Sequence, residues 1–279
     1  MKTAIALGTF DGLHMGHRAV LSQTSDFFSV AVTFDIPPKS VLTGEPQLLI
    51  LPDDRERRLK KLGIKQVCMQ SFEKVRKINA WDYLEILKRN YNPARVVCGF
   101  NYRFGYNAEG NTELLAGFCK ENGIEFVCVP PIEKGGKVIS STHIRELMRE
   151  GNIEEAVSQI YGGFGFTAPV LHGDARGRTL GFPTANQYYP EKLVKLKFGV
   201  YISRVTLDGK EYKAITNVGV RPTYRTDKVG CETFIKDFCG DIYGKEMKTE
   251  LLHFVRGEQK FESIDALKNA IINDVKLLD

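Results

Sequence analysis

Two histidines near the start of the chain have the residue types and the spacing of a phosphate site. His14 and His17 lie three residues apart around Gly16. Apolar residues 5–7 predict a buried strand before the pair, and residues 19–21 predict the start of a helix after it. A helix N-terminus favours an anion, glycine lets the backbone approach it closely, and imidazoles donate hydrogen bonds to charge on phosphorus. The pair therefore predicts the ATP site of a nucleotidyltransferase.

A metal site and a pair of surface histidines are the two alternatives for this motif. Zinc is disfavoured because no cysteine or further carboxylate lies at ligand spacing to complete its coordination sphere. On the phosphate interpretation, the strand-to-helix turn itself contacts ATP. The ATP-binding residues predicted in this turn are Gly8, Phe10, Asp11 and Gly16.

A second group places hydroxyl side chains at the start of another predicted helix. Ser140, Ser141 and Thr142 come directly before His143, and Arg145 would lie in the first helical turn. Hydroxyls at a helix N-terminus hold phosphate, and arginine neutralises it. Plain N-capping beside an exposed arginine is the alternative. Together with the histidine pair, this group predicts a second wall around one triphosphate.

A loop rich in glycine and arginine opens the densest motif of the second half of the chain. A flexible glycine backbone with two guanidinium groups wraps a polyphosphate, because arginine donates paired hydrogen bonds to its oxygens. A turn of the same composition without a ligand is the alternative. The predicted phosphate-binding residues are Gly173, Arg176, Gly177, Arg178 and Gly181.

Two neutral oxygen donors and one carboxylate complete the candidate chemistry of this half. Thr184 and Asn186 are two residues apart, so they lie on one side of an extended strand and suit Mg²⁺ held together with ATP phosphates. Glu232 lies in a β-like run and is a candidate to accept a proton from an attacking hydroxyl. By itself Glu232 would be an ordinary exposed strand residue.

The composition predicts a two-domain globular protein. The 279 residues are nearly twice the length of a usual domain of about 150 residues. The net charge of +5 suits small anionic molecules and is not clustered enough to indicate nucleic acid. No long apolar run indicates a membrane protein, and the first residues do not resemble a signal peptide, so we expect a cytoplasmic location. The six cysteines show no Cys-x-x-Cys spacing and are predicted to be buried and reduced.

The first half alternates β-like runs with helical patterns. Such alternation predicts a parallel α/β sheet that binds ligands beyond the carboxyl ends of its strands. Asp53, after Pro52, is a candidate N-cap for the first long helix, and Gly63 is a candidate C-cap. The predicted strands cover residues 30–34, 66–69, 95–98 and 125–129, and the predicted helices cover residues 53–62 and 81–88.

From Gly162 onward, glycine-rich turns separate short β-like runs, which predicts an antiparallel barrel or sandwich. Asp208-Gly209 is a strong hairpin signal between two of these runs. One helix with an apolar stripe from Ile264 to Leu278 ends the chain. The predicted strands of this half cover residues 199–207, 212–218, 231–235 and 247–254, and the candidate linker is Tyr161 to Gly165.

In order along nearly the whole chain, these motifs resemble the bacterial bifunctional riboflavin kinase/FAD synthetase family. The resemblance rests on the runs Gly8 to His17, Ser140 to Arg145 and Gly173 to Asn186, with support from Asn217 to Thr223 and Glu232 to Gly244. It implies a Rossmann-like α/β nucleotidyltransferase domain of the His-x-Gly-His type over residues 1–158. It also implies an antiparallel β-barrel riboflavin kinase domain with a terminal helix over residues 159–279.

The same resemblance implies the reactions and the role of each site residue. The N-terminal domain would join AMP from ATP to FMN, with His14, His17 and Arg145 as catalytic residues, helped by Ser141 and Thr142. The C-terminal domain would phosphorylate riboflavin. There Glu232 would be the base, Thr184 and Asn186 would organise Mg²⁺ and ATP, and Pro183 would contact the flavin. In the first domain Asn101 would contact the flavin.

Four positions depart from the common pattern of that family. Pro37 stands where a Pro-His-Pro run is typical, and Asn101-Tyr102 stands where Asp-Phe is frequent. Gly163 replaces a usual arginine, and Phe234 replaces a usual histidine. Two alternatives therefore accompany the two-activity prediction: an enzyme with one working half, and a non-catalytic regulator that binds flavin or nucleotide. The expected partners are riboflavin, FMN and ATP, without nucleic acid or membrane, for a monomer or weak homo-oligomer.

Overall fold

The computed structural model describes residues 2–45, 47–173, 177, 181–220 and 228–279. The chain divides into two compact units. The first unit comprises Met1–Ile144 and Gln159–Gly162, and the second comprises Arg145–Ser158 and Gly163–Asp279. Each unit contains one large sheet. Within the described ranges, no helix combines the length and the apolarity needed to cross a membrane.

The first unit is built on a five-stranded parallel sheet, which confirms the predicted α/β class. Its strands are β1 (Thr3–Leu7), β2 (Phe28–Phe34), β3 (Gln66–Gln70), β4 (Pro93–Gly99) and β5 (Glu125–Val129). They pair in the order β3-β2-β1-β4-β5. From the central strand β1 the chain thus builds outward first on one side and then on the other. The carboxyl ends of β1 and β4 flank the point where this direction reverses, which is where open α/β sheets bind ligands.

Helices and one small hairpin connect and follow these strands. The helices are α1 (Met15–Ser22), α2 (Pro38–Thr43), α3 (Pro52–Lys61), α4 (Phe72–Val75), α5 (Ala80–Tyr91), α6 (Thr112–Glu121), α7 (Ser141–Glu150) and α8 (Ile153–Gln159). The hairpin pairs β6 (Glu133–Lys134) with β7 (Lys137–Val138). Asparagine side chains cap two of the helices: Asn79 accepts from the amide of Asp82, and Asn111 accepts from the amide of Leu114.

Alternate residues of β1, β2 and β4 bury one face of the sheet against α5 and α6. Ile5, Val96 and Cys98 from the sheet and Leu84 and Phe118 from the helices belong to one buried cluster. This packing follows from the sequence, because the strands are runs of small and β-branched apolar residues and the helices carry apolar residues at helical spacing. The resulting rigid platform carries the loops at the carboxyl ends of the strands.

Helix α3 begins one residue earlier than predicted. Asp53 is not its N-cap: the helix starts at Pro52, and Leu51 is the capping residue. Proline is favoured at the first helical position because its missing N–H would be unpaired there in any case. Asp53 instead lies in the first turn, where its charge meets the positive end of the helix dipole. Gly63 follows the C-cap with φ of 91°, as its predicted role requires.

The six cysteines are free thiols, but only three of them are buried as predicted, since Cys68 is partly buried and two others are exposed. Cys98, Cys119 and Cys231 are buried, whereas Cys128 and Cys239 are exposed. Cys128 lies on β5, an edge strand of the parallel sheet, so one side of that strand has no neighbouring strand to cover it. Apolar neighbours in the sequence indicate a strand and do not distinguish an edge from a centre.

The second unit is built on a six-stranded antiparallel sheet. Its strands are β8 (Gly165–Pro169), β9 (Thr184–Tyr188), β10 (Gly199–Leu207), β11 (Lys210–Val220), β12 (Val229–Ile235) and β13 (Glu246–Gly257). Their order is β8-β13-β10-β11-β12-β9. Just beyond β8, the amide of Leu171 donates to the carbonyl of Asn186 on β9 over 2.7 Å. This bridge brings the two edges together, so the sheet curls into the predicted barrel.

The predicted hairpin and the terminal helix are both confirmed. Asp208 and Gly209 join β10 to β11 with φ of 50° and 79°, the positive values of a type I′ turn. The terminal helix, α9 (Ile264–Lys276), is capped by Ser263, which accepts from the amide of Ala266. Its apolar stripe is shorter than predicted, because Ile264 is 70% exposed in the first turn.

The barrel strands carry different chemistry on their two faces. One face packs an apolar cluster that includes Val205, Ala214 and Met247. On the other face, Val200 and Ile215 pack with Leu278 beside α9. This second face also carries Asn217 next to Ile215, because the two residues are two apart on β11.

Candidate active sites

The turn that follows β1 has an unusual backbone. Phe10 and Leu13 have φ of 48° and 46°, in the left-handed region that side chains with a Cβ seldom adopt, and Gly12 has φ of 92°. Residues held in this way cost about 1–3 kcal/mol each and persist only where their surroundings enforce them. The surrounding structure therefore enforces this strained turn at the carboxyl edge of the sheet. Its last residue is His14, the N-cap of α1.

The two histidines lie against each other at the N-terminus of α1. Their rings are stacked, with centroids 3.7 Å apart and planes inclined by 20°. The Nδ1 of His14 accepts from the amide of His17 over 3.4 Å, and the ring of Phe10 meets that of His17 edge to face. A Cβ at position 16 would approach the His14 ring to 3.3 Å, so Gly16 leaves room for the stack. Sequence spacing alone did not predict this stacking.

Buried hydrogen bonds hold the turn in its strained shape. Asp11 is fully buried, and its carboxylate accepts from the amides of Leu49 at 2.9 and 3.1 Å and of Ile50 at 3.1 Å. The carbonyl of Asp11 accepts from Ser141 Oγ at 2.7 Å. The carbonyl of Gly12 accepts from the amide of Tyr161 at 3.2 Å. Side chains and backbone distant in sequence thus fix the position of His14.

Sequence analysis did not identify Arg55 on α3, a fully buried arginine close to this turn. Its guanidinium donates to the carbonyls of Thr9, Phe34 and Asp35, and so joins the turn after β1 to the turn after β2. Burial lowers the pKa of Arg55, while the nearby carboxylates of Asp11 and Asp35 oppose that shift. The sequence does contain a signal of this burial. Arg55 lies four residues before Leu59, so it is on the face of α3 where apolar residues are expected.

The loop after β4 carries Asn101, the predicted flavin contact of the first domain. Asn101 is exposed, and β4 is the neighbour of β1, so the loop begins at the same sheet edge as the histidine turn. Tyr102 stacks on Phe104 and packs against the buried cluster that contains Tyr83, whose hydroxyl donates to Gln70. Burial raises the pKa of Tyr83 to about 12 and that of Tyr102 well above its ordinary value, so both hydroxyls stay protonated. The tyrosine at position 102 thus anchors this loop to α5.

Two of the three hydroxyl side chains at the start of α7, those of Ser140 and Ser141, hydrogen-bond to backbone groups. Ser140 Oγ accepts from the amide of His143 over 3.2 Å, which makes Ser140 the N-cap, as the alternative interpretation had it. Ser141 donates to the turn after β1, as described above, while Thr142 is exposed. Arg145 follows one turn into the helix and is 7% exposed, so it is not the exposed arginine of that alternative.

In the barrel, the register of three strands brings the predicted kinase residues together. Asn186 on β9 is the direct partner of Glu232 on β12, and Glu232 is the partner of Asn217 on β11. Direct partners in an antiparallel pair project to the same face with Cβ atoms about 4.5–5.5 Å apart. Thr184, two residues before Asn186, is the partner of Phe234 on that face. The face therefore presents one carboxylate, two amides and one hydroxyl in adjacent positions.

The glycine-rich loop before β9 approaches this face closely. A Cβ at Gly173 would collide with the side-chain amide of Asn186, and a Cβ at Gly177 would collide with the carbonyl of Phe182. Gly181 has φ of 87°. Pro183 is exposed, and Phe182 packs edge to face on Phe234. Arg176 and Arg178, predicted to bind phosphate, lie outside the described residues, as do residues 221–227 with the end of the run Asn217 to Thr223.

Gly219 reveals a further acidic residue that sequence analysis missed. It lies two residues beyond Asn217 on β11, and a Cβ there would collide with the carboxylate of Glu258. The missing side chain thus allows Glu258 to cover this end of the strand. Because Glu258 comes shortly after β13, 26 residues from Glu232, no local pattern connected it with the site.

The donor set of Thr184 and Asn186 fits a hard divalent cation. Both residues offer neutral oxygens, they share one strand face, and a carboxylate is the direct partner of one of them. Magnesium is usually held by one or two protein oxygens together with substrate phosphates, so a larger set of ligands is not required. The fit is to magnesium bound jointly with a nucleotide.

Each half of the chain matches a known protein family. The FAD synthetase family model matches residues 1–143, and the riboflavin kinase family model matches residues 163–279. The bifunctional riboflavin kinase/FMN adenylyltransferase of Listeria monocytogenes is 31% identical over 280 residues, covering 96% of this chain and 88% of that protein. The Escherichia coli protein of the same name is 30% identical over 281 residues, covering 97% and 90%.

A solved structure has the same fold over nearly the whole chain. A crystal structure from Streptococcus pneumoniae, described as a macrolide-efflux protein, is 30% identical to this chain with a TM-score of 0.88. The match covers 99% of this chain and 93% of the other. The two family models and the two full-length relatives together assign this fold to a family. The chain belongs to the bifunctional riboflavin kinase/FMN adenylyltransferase family.

Proposed function

We propose that this transferase phosphorylates riboflavin to FMN and then adenylylates FMN to FAD, using ATP in both steps. We assign adenylylation to residues 1–158 and phosphorylation to residues 159–279. One observation carries the proposal: each half groups side chains suited to binding phosphate at an edge or face of its own sheet. These sets are the stacked pair His14 and His17 beyond β1, and the Asn186–Glu232 pair on the barrel.

In adenylylation, the FMN phosphate attacks the α-phosphorus of ATP and pyrophosphate leaves. We assign to His14 and His17 the stabilisation of the charge that develops there, since they lie at a helix N-terminus that itself favours anions. Arg145 neutralises the phosphates, and Asn101 contacts the flavin. The other residues that we assign to the ATP site of this half are Gly8, Phe10, Asp11, Gly16, Ser140, Ser141 and Thr142, of which Asp11 and Ser141 act by holding the turn and Ser140 by capping α7.

In phosphorylation, the ribityl hydroxyl of riboflavin attacks the γ-phosphorus of ATP and ADP leaves. Glu232 accepts the proton of that hydroxyl. Thr184 and Asn186 would hold Mg²⁺, which when bound neutralises charge on the phosphates. Gly173, Gly177 and Gly181 admit the polyphosphate close to the backbone, Arg176 and Arg178 donate to it, and Pro183 contacts the flavin. Phosphoryl transfer depends mainly on positioning and charge, so these residues suffice.

The cellular setting belongs to the same proposal. We infer a cytoplasmic enzyme that is a monomer or a weak homo-oligomer, with small-molecule substrates and neither nucleic acid nor membrane as a partner. The net charge of +5 supports the choice of partners, because it attracts small anionic substrates such as ATP and FMN and is too small to indicate a nucleic-acid-binding protein.

The decisive assay incubates the full chain with riboflavin, ATP and Mg²⁺ and separates the flavins over time. We expect FMN to appear first and FAD to follow, and FMN supplied directly to be converted to FAD. Formation of FMN without FAD would support the kinase activity and contradict the adenylyltransferase activity. Flavin binding with no product at all would identify a regulator and overturn the proposal.

Two substitutions separate the halves. His17→Ala is expected to lower adenylylation of FMN by about a hundredfold, the effect of losing one donor to developing charge, while riboflavin phosphorylation continues. Glu232→Gln is expected to do the reverse, since general-base catalysis contributes about a hundredfold or more. Each rate is measured with its own substrate in folded protein.

Matched controls are available in both cases. His253 is half-exposed on β13, and Glu211 is exposed on β11. His253→Ala and Glu211→Gln remove the same side-chain types away from the proposed sites and are expected to leave both rates unchanged. If either His17→Ala or Glu232→Gln abolished both activities in folded protein, the assignment of one reaction to each half would be wrong.

A further inference from the structure

Two cysteine side chains lie next to each other at the carboxyl edge of the parallel sheet. Cys98 on β4 and Cys128 on β5 are direct partners, and each is the second-to-last residue of its strand. Neighbouring strands lie about 4.7–4.9 Å apart, within the Cα separation of about 4.4–6.8 Å that a disulfide spans. In-register partners on neighbouring strands project to the same face, so the two thiols lie side by side.

The two thiols differ in accessibility. Cys128 is exposed on the edge strand, while Cys98 is fully buried. Burial raises the pKa of the Cys98 thiol to about 12, with a further contribution from Cys128, so Cys98 stays protonated at neutral pH. A dissolved oxidant therefore meets Cys128 first. Cys98 is the neighbouring thiol that can react with the oxidised product.

We propose that Cys98 and Cys128 form a reversible disulfide in the presence of hydrogen peroxide and that this bond slows adenylylation of FMN. The Cys128 sulfur attacks one oxygen of hydrogen peroxide, the O–O bond breaks, and the products are a sulfenic acid on Cys128 and one water. The Cys98 sulfur then attacks the sulfenic sulfur, and its proton leaves with the hydroxyl as a second water. Two thiols have lost two electrons, and one peroxide has become two waters.

The bond would act on the loop that carries Asn101. The amide of Phe100 donates to the carbonyl of Val129 over 2.9 Å, and the amide of Tyr102 donates to the carbonyl of Gly99 over 3.0 Å. Gly99 and Val129, the residues directly after the two cysteines, thus accept the hydrogen bonds that hold the start of this loop. A disulfide requires Cβ atoms about 3.5–4.5 Å apart, closer than the strand spacing, so it must draw the two strand ends together.

The same geometry makes the bond reversible. A disulfide formed away from its preferred geometry is strained and easily reduced. Because β5 is an edge strand, its end can shift without displacing a further strand. The effect on adenylylation rests on the proposed function, whereas formation of the bond does not. The two parts of the proposal therefore have separate readouts.

The test treats the full chain with hydrogen peroxide and maps its cysteines by mass spectrometry under non-reducing conditions. We expect a Cys98–Cys128 linkage, and a fall of about tenfold or more in FAD formation from FMN, since a displacement of about 1 Å at a site can cost a hundredfold. Riboflavin phosphorylation should be unchanged, and dithiothreitol should restore FAD formation. Untreated enzyme that makes no FAD would overturn the proposed function without affecting the mapped linkage.

Serine variants keep the proposal testable. Cys128→Ser is expected to retain basal activity and to resist peroxide, while Cys98→Ser should stop at a sulfenic acid on Cys128 that a dimedone probe labels. Cys239→Ser, which removes the exposed cysteine of the barrel unit, is the matched control and should respond as the unchanged chain does. A linkage of Cys128 to Cys119 instead, or none at all, would overturn the assigned pair. A Cys98–Cys128 linkage that leaves FAD formation unchanged would overturn the effect on the site.

Discussion

At the scale of single residues, buried polar groups hold the turn that carries His14. Asp11 and Arg55 are both fully buried, and both are used to hold backbone: Asp11 binds two amides, and Arg55 binds three carbonyls. Such groups are costly unless they are fully paired. Their presence next to the turn with left-handed Phe10 and Leu13 indicates that they stabilise its strained backbone.

Replacing Asp11 therefore tests how the turn is held. Asp11→Ala leaves the buried amides of Leu49 and Ile50 without an acceptor, at about 1–3 kcal/mol each. We expect a lower unfolding midpoint for the first unit and slower adenylylation, because the histidines lose their fixed position. Chemical denaturation followed in parallel with FAD formation measures both effects.

Asp26 provides the control for this change, since it is an exposed aspartate of the same unit. Asp26→Ala is expected to alter neither quantity by more than about 0.5 kcal/mol in stability, the usual range for a surface substitution. Equal effects of the two changes would contradict the role given to Asp11.

At the scale of elements, the barrel combines an apolar interior with a chain of buried hydroxyls across three strands. Ser203 on β10 and Thr216 on β11 are 2.7 Å apart, and Thr216 and Thr233 on β12 are 3.0 Å apart. All three residues are buried. Because Thr216 and Thr233 alternate with the outward-facing Asn217 and Glu232, this chain of hydroxyls stabilises the register that brings the proposed kinase residues together.

The middle hydroxyl is the informative one to remove. Thr216→Val keeps the shape of the side chain but leaves Ser203 and Thr233 short of a partner, so we expect a loss of about 1–3 kcal/mol in the free energy of unfolding. Thr206→Val, on the neighbouring strand β10, changes a partly buried threonine with no such chain and is expected to have a smaller effect.

A triple variant separates hydrogen bonding from packing. Replacing Ser203 by Ala and both Thr216 and Thr233 by Val removes all three hydroxyls, so no buried hydroxyl of the chain is left unpaired. We expect it to be more stable than Thr216→Val alone, because apolar replacement of a complete set can be nearly neutral. A still lower free energy of unfolding would show that the hydroxyl chain itself is strongly stabilising.

At the scale of the whole molecule, helix α7 belongs to both compact units. Its residues through Ile144 are grouped with the first unit, and its residues from Arg145 onward with the second. Within the second unit, Lys197 Nζ donates to the carbonyl of Glu150 over 3.2 Å, and His253 Nδ1 lies 3.2 Å from Glu154 Oε2. Residues 145–158 are thus structurally part of the barrel unit, although the riboflavin kinase family model begins at residue 163.

This arrangement makes a prediction about fragments. A fragment of residues 141–279 is expected to unfold at a higher denaturant concentration than a fragment of residues 163–279, because only the longer fragment retains the contacts of Glu150 with Lys197 and of Glu154 with His253. Circular dichroism during urea unfolding measures the difference. Identical midpoints would show that residues 145–158 do not stabilise the barrel.

The sequence by itself predicted the family, its two activities and most of the elements. The pair His14 and His17 is readable because both partners and their helix lie within a few residues, and the Asp208-Gly209 turn is readable because its geometry demands those residue types. Strand periodicity likewise predicted both sheets. Helix boundaries differed where neighbouring residues compete for the same terminal position. Pro52 takes the first helical position of α3, so Asp53 is not the N-cap.

Only the tertiary structure decided which distant residues meet. The carboxylate of Asp11 and its amides at positions 49 and 50 are 38 and 39 residues apart. Arg55 reaches three backbone carbonyls on two turns, and Cys98 meets Cys128 across a strand boundary. Sequence patterns report local periodicity, whereas these pairings depend on strand order and on which strand lies at the edge. The histidine turn is specified locally, but its shape is stabilised by parts of the chain that no local pattern connects to it.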